Sequence, residues 1–280
     1  MDWTRHAAPL RHGSLAYARA GHGRPLLYLH DAGADTLASA AFDDLAADHD
    51  VVLADLPGYG ESAPPGAIDG PRDIAAMVAA LLDHLGWVHP VVAGTSLGAW
   101  FALELAFAFP ARPAGLVLAS AAGLHCPQDY LLALFRTGDA AHSAPDLIAG
   151  AIWDRLPGTE GREVGGSAGA AVWGPWVQEL AAAAWCSWHP YTANPRVLAQ
   201  LGGVACPVEI LWGARDGLIP LQHARLLVEG LPSANLHVVE GAGHLVALDA
   251  PEQFSAAVRR LPAGPGALRI LRPAGISRRG

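Results

Sequence analysis

The 280-residue sequence contains no lysine, because all 18 of its basic residues are arginine. Without lysine, a pyridoxal Schiff base, a lysine-dependent aldolase and a phosphate-binding P-loop are excluded. The basic residues are also outnumbered by 26 acidic ones, which gives a formal net charge of −8. This charge disfavours a nucleic-acid partner, because binding to phosphates requires a basic surface.

Cysteine and long apolar segments are scarce as well. Cys126, Cys186 and Cys206 are odd in number and far apart, so no disulfide framework or zinc knuckle is predicted. The most apolar stretch, residues 97–109, contains Glu104 and is too short to span a bilayer. The first ten residues lack the apolar run of a signal peptide. We therefore expect a cytoplasmic protein that binds neither a membrane nor nucleic acid.

Short apolar runs alternate with helical patterns along most of the chain. The runs are typical of strands buried on both faces, and they occupy residues 26–29, 51–54, 91–93, 116–118, 208–212 and 236–239. Helices are predicted at 71–85, at 97–109 and from about residue 251. This alternation predicts an α/β fold with a mostly parallel, doubly wound sheet. Residues 13–20 are predicted to form an antiparallel edge strand of a hairpin that precedes it.

One interval of about 90 residues, between the predicted strands at 116–118 and 208–212, lacks a buried-strand pattern. It holds five of the nine tryptophans, which are Trp153, Trp173, Trp176, Trp185 and Trp188. We interpret residues 124–195 as a helical cap inserted into a core that comprises residues 1–123 and 196–262. Residues 263–280, which are rich in arginine, proline and glycine, are expected to form a loosely attached tail.

Residues 94–98 read Gly-Thr-Ser-Leu-Gly and lie between a predicted buried strand and a predicted helix. A serine on such a tight turn has a strained backbone and an exposed hydroxyl, and the glycines let the strand and the helix pass closely. The start of the helix would add backbone N–H donors beneath a developing oxyanion. The pattern therefore predicts Ser96 as a nucleophile. The alternative is an ordinary turn with a capping serine.

A serine hydroxyl needs a base, and the base needs an acid that orients it. His244 follows the last predicted strand in a glycine-rich loop that can present an imidazole. Asp216 follows the strand at 208–212 and is expected at the carboxyl edge of the sheet, where ligand sites of open α/β sheets lie. Asp249 is a weaker candidate, because its surroundings are typical of a helix start. Ser96, Asp216 and His244 are therefore the predicted catalytic residues.

The oxyanion formed in an acyl-transfer reaction needs two N–H donors. One candidate is the amide of Leu97, which directly follows the predicted nucleophile. The other is the amide of Ala32, in the segment that follows the first core strand. Leu97 and Ala32 are therefore the predicted oxyanion hole.

These motifs together resemble the α/β-hydrolase superfamily over nearly the whole chain. The resemblance also includes the loop at His30, residues 55–62, the acid segment at 212–220 and the histidine segment that ends at 251–254. It implies the α/β-hydrolase fold, a cap between the sixth and seventh strands, and a triad of Ser96, Asp216 and His244. Two residues depart from the family pattern. Asp31 stands where glycine is usual, and Thr95 stands where many members carry a larger or more polar residue.

The triad and the resemblance indicate a serine hydrolase that cleaves a carboxylic ester or a related acyl compound through an acyl-enzyme on Ser96. Two alternatives use the same triad: hydrolysis of a C–C bond in a ring-cleavage vinylogous diketone, and acyl transfer or cyclisation onto a bound hydroxyl. The C–C reaction needs a cation for its acidic substrate, for which the candidates are Arg136, Arg155, Arg162 and Arg196. From a different class, a ligand receptor on a hydrolase scaffold would have no reactive serine.

The expected partner is a small acyl substrate in a mostly apolar pocket. Trp185 and Trp188 in the cap, together with Trp100 after the nucleophile, are predicted to line this pocket. The mechanism needs no metal and no organic cofactor, and the sequence allows a homodimer.

Overall fold

A computed structural model describes residues 1–11, 13–32, 39–64, 68–124, 186 and 193–262. Most of the predicted cap and all of the predicted tail at 263–280 lie outside the described residues. The pocket residues expected in the cap, Trp185 and Trp188, lie outside them too. The boundaries of the core, the cap and the tail therefore stay predictions.

Eight strands of the described chain form one sheet in the order β1-β2-β4-β3-β5-β6-β7-β8. Its strands are Thr4–Leu10 (β1), Gly13–Gly21 (β2), Arg24–Leu29 (β3), His49–Ala54 (β4), Val91–Thr95 (β5), Gly115–Ala119 (β6), Val208–Gly213 (β7) and Ala234–Val239 (β8). Two pairs, β1 with β2 and β2 with β4, are antiparallel, and all other neighbours are parallel. The predicted mostly parallel α/β sheet is thus confirmed.

One edge of the sheet is β1, which the sequence pattern did not reveal. Most of its residues are exposed, so it has none of the apolar runs by which the buried strands were recognised. Arg5 of this strand pairs with Asp55 at 2.9 Å, and a charged residue suits a strand that has one unpaired side. The prediction that β2 is the edge strand was wrong, because β2 is paired on both sides.

Seven α-helices lie in the described part of the chain. They are Ala40–Leu45 (α1), Pro71–Leu85 (α2), Leu97–Ala108 (α3), Val197–Gln200 (α4), Gln222–Gly230 (α5), Val246–Asp249 (α6) and Pro251–Arg260 (α7). α2 begins at a proline and is closed by Gly86, whose φ of 70° is the left-handed conformation that glycine adopts readily. None of these described helices is long and apolar enough to cross a membrane.

Alternate residues of the central strands face two different layers of helices. Leu27 and Leu29 of β3 belong to the apolar cluster that contains α2, α3 and α5. Leu26 and Tyr28 of the same strand belong to the cluster that contains α1, α6 and α7. Successive side chains of a strand point to opposite faces, so both faces of the sheet are covered here, and residues 26–29 of β3 form a continuous apolar run. This packing leaves the carboxyl ends of the parallel strands free to carry polar residues.

Candidate active site

Ser96 lies between the last residue of β5 and the first residue of α3, in strained backbone. Its φ is 54°, which is unusual for a residue other than glycine. The turn is held by backbone hydrogen bonds, since the Ser96 N–H donates to the Ala119 carbonyl at 2.9 Å and the Trp100 N–H donates to the Ser96 carbonyl at 3.1 Å. The strand–serine–helix arrangement expected from the sequence is therefore present, and this strain is of the kind found at functional turns.

The two glycines that flank this turn permit very close backbone contacts. A Cβ atom on Gly94 would lie 2.4 Å from the carbonyl carbon of Gly98. A Cβ atom on Gly98 would lie 2.0 Å from the carbonyl oxygen of Leu29 and 2.5 Å from that of His30. The first turn of α3 therefore packs directly against the end of β3 and the loop that follows it. Any side chain at Gly98 would push this loop away from Ser96.

Replacement of Gly98 by alanine is expected to lower the free energy of unfolding by about 3 kcal/mol, because backbone atoms of β3 must move to accept the methyl group. Urea unfolding monitored by tryptophan fluorescence would measure the change. Gly202→Ala is the matched control, since a Cβ atom at Gly202 meets nothing within 4 Å. Equal stability of the two variants would show that the loop after β3 does not need the close approach.

Asp216 and His244 form a buried pair at the carboxyl ends of β7 and β8. The distance from His244 Nδ1 is 3.0 Å to Asp216 Oδ2 and 3.2 Å to Oδ1. The side chain of His244 is only 3% exposed, and that of Asp216 is 1% exposed. Asp216 Oδ1 also accepts hydrogen bonds from the N–H groups of Leu218 and Ile219, both at 2.9 Å. The carboxylate is thereby held in one orientation towards the imidazole.

The pair shifts the protonation of both of its members. Burial by itself would raise the pKa of Asp216, but the interaction with His244 and the two backbone N–H groups lower it below its usual value. Burial would lower the pKa of His244, but the charge of Asp216 and its hydrogen bond raise it above 6.5. Asp31 and Asp249 raise the pKa of His244 further. The site is therefore built to stabilise an imidazolium.

Close contact between two loops brings the pair together. A Cβ atom on Gly213, at the end of β7, would lie 2.0 Å from the carbonyl oxygen of Gly243. The Arg215 N–H donates to the Ala242 carbonyl at 2.9 Å, which joins the same two loops. β7 and β8 are parallel neighbours, so their following loops leave the sheet at the same edge.

His30 anchors the loop that follows β3 and is neutral. Its Nε2 accepts a hydrogen bond from the Leu56 N–H at 2.9 Å, and its Nδ1 therefore carries the proton donated to the Asp31 carbonyl at 2.5 Å. Burial is the main cause that lowers the pKa of His30. The ring also meets Tyr59 edge-on, with the centroids 4.6 Å apart. His30 thus joins the loops after β3 and β4 and does not take part in the Asp216–His244 pair.

The two predicted oxyanion donors lie in adjoining turns. Leu97 is the first residue of α3, where a backbone N–H has no acceptor within the helix. Ala32 follows His30 and Asp31, in the loop that packs against Gly98 of the same helix. Residues 33–38, which continue this loop, lie outside the described residues. Within the described chain, no hydrogen bond joins the Ser96 hydroxyl to His244. Such a bond often forms only when substrate binds, because catalytic hydrogen bonds tighten in the complex.

Trp100 does not lie on an open surface, which corrects the prediction that it lines the substrate pocket. Its side chain is 0% exposed, and its Nε1 donates to Glu104 at 3.0 Å. Its ring fills the space beside Gly123, where a Cβ atom would lie 2.3 Å from a ring carbon. Glu104 also accepts a hydrogen bond from Asn194 at 3.0 Å, so Trp100 belongs to the packing between α3 and the end of the predicted cap.

The described cysteines are buried free thiols. Burial raises the pKa of Cys186 to about 12 and that of Cys206 to about 11, so both stay protonated at neutral pH. Among the described residues, no group of three or more histidine, cysteine, aspartate or glutamate side chains is placed to hold a metal ion.

Comparison with known proteins agrees with this arrangement. A model of the alpha/beta hydrolase family matches residues 26–257. A 2-hydroxy-6-oxononadienedioate/2-hydroxy-6-oxononatrienedioate hydrolase of Pseudomonas putida is 27% identical over 271 residues, covering 86% of this chain and 88% of that protein. A poly(3-hydroxyalkanoate) depolymerase of Ectopseudomonas oleovorans is 28% identical over 239 residues, covering 80% and 79%. The crystal structure of a bacterial membrane phospholipase A superposes with a TM-score of 0.74 at 23% identity, covering 92% and 87%.

The region matched by the family model runs from β3 into α7 and so includes Ser96, Asp216 and His244. The eight-stranded sheet, with its antiparallel start and its helices on both faces, is the fold that the resemblance implied. Of the two relatives described above, the Pseudomonas putida protein is named as a hydrolase and the Ectopseudomonas oleovorans protein as a depolymerase. The chain therefore belongs to the alpha/beta hydrolase family and is an enzyme.

Proposed function

We propose that this enzyme hydrolyses a carboxylic ester or a related acyl compound through an acyl-enzyme on Ser96. The observation that carries the proposal is the buried Asp216–His244 pair, which stands at the same edge of the sheet as a serine in strained backbone. A carboxylate that holds one imidazole nitrogen leaves the other nitrogen available as a base for a serine hydroxyl.

In the proposed first step, Ser96 Oγ attacks the ester carbonyl carbon and its proton passes to Nε2 of His244. Nδ1 faces Asp216 and carries the other proton, so Nε2 of the neutral ring has a free lone pair. Asp216 stabilises the imidazolium that results, without taking a proton itself. The imidazolium then protonates the alkoxide as it leaves, and Ser96 is left acylated.

The tetrahedral intermediate places a negative charge on the former carbonyl oxygen. We assign the stabilisation of this charge to the N–H groups of Leu97 and Ala32, aided by the positive end of the α3 dipole. In the second half of the reaction, His244 takes a proton from water. The resulting hydroxide attacks the acyl carbon, and Ser96 Oγ recovers its proton as the acid leaves.

The second candidate is hydrolysis of a C–C bond, which the similarity to the Pseudomonas putida hydrolase favours. Its acidic substrate would need a cationic partner. Among the described residues, the charged groups that act on His244 are all carboxylates, Asp216, Asp31 and Asp249. This local negative charge favours an acyl substrate without a carboxylate beside its scissile bond. Acyl transfer to a bound hydroxyl would use the same intermediate as ester hydrolysis.

A fluorophosphonate probe and a substrate panel test the proposal together. We expect the probe to label Ser96 in the wild type and to leave the Ser96→Ala variant unlabelled. We also expect turnover of p-nitrophenyl esters that exceeds turnover of a ring-cleavage dienoate. Turnover of the dienoate alone would select the C–C reaction, and absence of both labelling and turnover would contradict serine chemistry.

A further inference from the structure

Asp249 contacts the loop that presents His244. It is the last residue of α6, and its Oδ2 accepts a hydrogen bond from the Gly243 N–H at 2.6 Å. Gly243 directly precedes His244. A hydrogen bond from an amide to a carboxylate is about twice as strong as one between neutral groups. The backbone next to the imidazole is therefore tied to the end of α6.

The helix that carries Asp249 is itself anchored. The Ser39 hydroxyl, which caps α1, donates to the Ala247 carbonyl of α6 at 2.6 Å. Val246 and Ala247 are buried in the cluster formed with α1 and α7. The loop that precedes His244 is also held by the loop after β7, since Gly213 packs closely against it and the Arg215 N–H donates to it. The loop is thus fixed between β7 and α6, and the contact with α6 is made by a charged side chain.

Three carboxylates face His244 from three different elements. Asp216 comes from the loop after β7, Asp31 from the loop after β3, and Asp249 from the end of α6. All three raise the pKa of the imidazole against the effect of its burial. Asp216 bonds directly to Nδ1, whereas Asp249 accepts a hydrogen bond from the backbone N–H of Gly243.

We propose that Asp249 is a positioning residue for His244, because its carboxylate fixes the Gly243 amide and adds negative charge around the imidazolium. The imidazolium as a reaction intermediate rests on the function proposed above, whereas the contact and the charge do not. The sequence favours Asp216 over Asp249 as the acid that orients His244, and the structure gives Asp249 a different contact, with the backbone N–H of Gly243.

Two substitutions separate the hydrogen bond from the charge. In Asp249→Asn, the amide oxygen can still accept the Gly243 N–H, but the negative charge is gone. In Asp249→Ala, both are gone. Glu252→Gln is the matched control, since it removes an exposed carboxylate three residues away that does not act on His244. The His244 ring would be titrated by NMR in each protein, with its signal assigned by its loss in a His244→Asn variant.

We expect Asp249→Asn to lower the pKa of His244 and to move the acid limb of kcat/KM to lower pH. The pKa should fall because removing a nearby negative charge disfavours the protonated ring. The acid limb should move with it, because the neutral ring is the competent base. We expect kcat to fall severalfold with KM unchanged in Asp249→Asn. In Asp249→Ala, we expect kcat to fall about a hundredfold, because the loop can then shift. Glu252→Gln should match the wild type in every measurement.

An unchanged His244 titration in Asp249→Asn, or wild-type kcat in Asp249→Ala, would overturn the proposal. If Asp249→Ala does not fold, the titration of Asp249→Asn decides alone. A failure of the proposed function has a different signature. In that case Ser96→Ala keeps its activity while the His244 titration still shifts in Asp249→Asn, because the titration requires no substrate.

Discussion

The Ser96→Ala variant is expected to lose turnover by several orders of magnitude while keeping its fold. Triad residues act as a unit, and removal of the catalytic serine of subtilisin, a measured case, costs about 10⁶ in kcat. Ser96 is 7% exposed and forms no side-chain cap for α3, so the loss of its hydroxyl removes little packing. Alanine and serine have similar tolerance for a φ of 54°, which leaves the strain of the turn nearly unchanged.

Ser120 offers a matched control for this variant. It follows β6, the neighbour of β5, and is the other described non-glycine residue with a positive φ, at 45°. Its side chain is fully buried, and within the described chain its hydroxyl has no hydrogen-bond partner. Ser120→Ala should therefore keep its activity and its unfolding midpoint. If Ser96→Ala retains more than about a tenth of the wild-type kcat, Ser96 is not the nucleophile.

The Asp216→Asn variant is expected to lower kcat by about 10⁴, as in the corresponding change of other serine triads. Two backbone N–H groups, those of Leu218 and Ile219, bind Oδ1. An asparagine would keep its oxygen on these donors and would turn its NH₂ group towards Nδ1 of His244. Nδ1 would then have to accept a hydrogen bond from this NH₂ group. The ring proton would move to Nε2, which leaves no base for Ser96. The loss thus arises from the wrong tautomer as well as from the missing charge.

Steady-state kinetics on an ester that the wild type cleaves would measure this loss, with Asp249→Asn as the comparison. Both variants remove one carboxylate charge near His244, but only Asp216 bonds to the imidazole. Asp216→Asn should therefore be far more severe than Asp249→Asn. Similar and small losses in both variants would mean that another acid orients His244.

Much of the fold was predictable because local patterns reflect burial on both faces of a sheet. The apolar runs that became β3 to β7 are buried, and Pro71 and Gly86 mark the two ends of α2. β1 escaped prediction because an exposed edge strand carries no such run. Trp100 was misread for a related reason. Trp100 is close to Ser96 in the chain, but its side chain lies in the core and donates a hydrogen bond to Glu104.

The order of the buried strands, the turn that carries Ser96, and the candidates Asp216 and His244 could all be predicted, since each depends on residues close together in the chain. Which acid bonds to the histidine depends on tertiary packing. Asp216 meets His244 across 28 residues because Gly213 lets two loops touch, whereas Asp249, only five residues from His244, binds the backbone of Gly243. The physical reason is that a hydrogen bond requires two atoms within about 3 Å, and this distance is set by the packing of loops at a sheet edge, which no local pattern encodes.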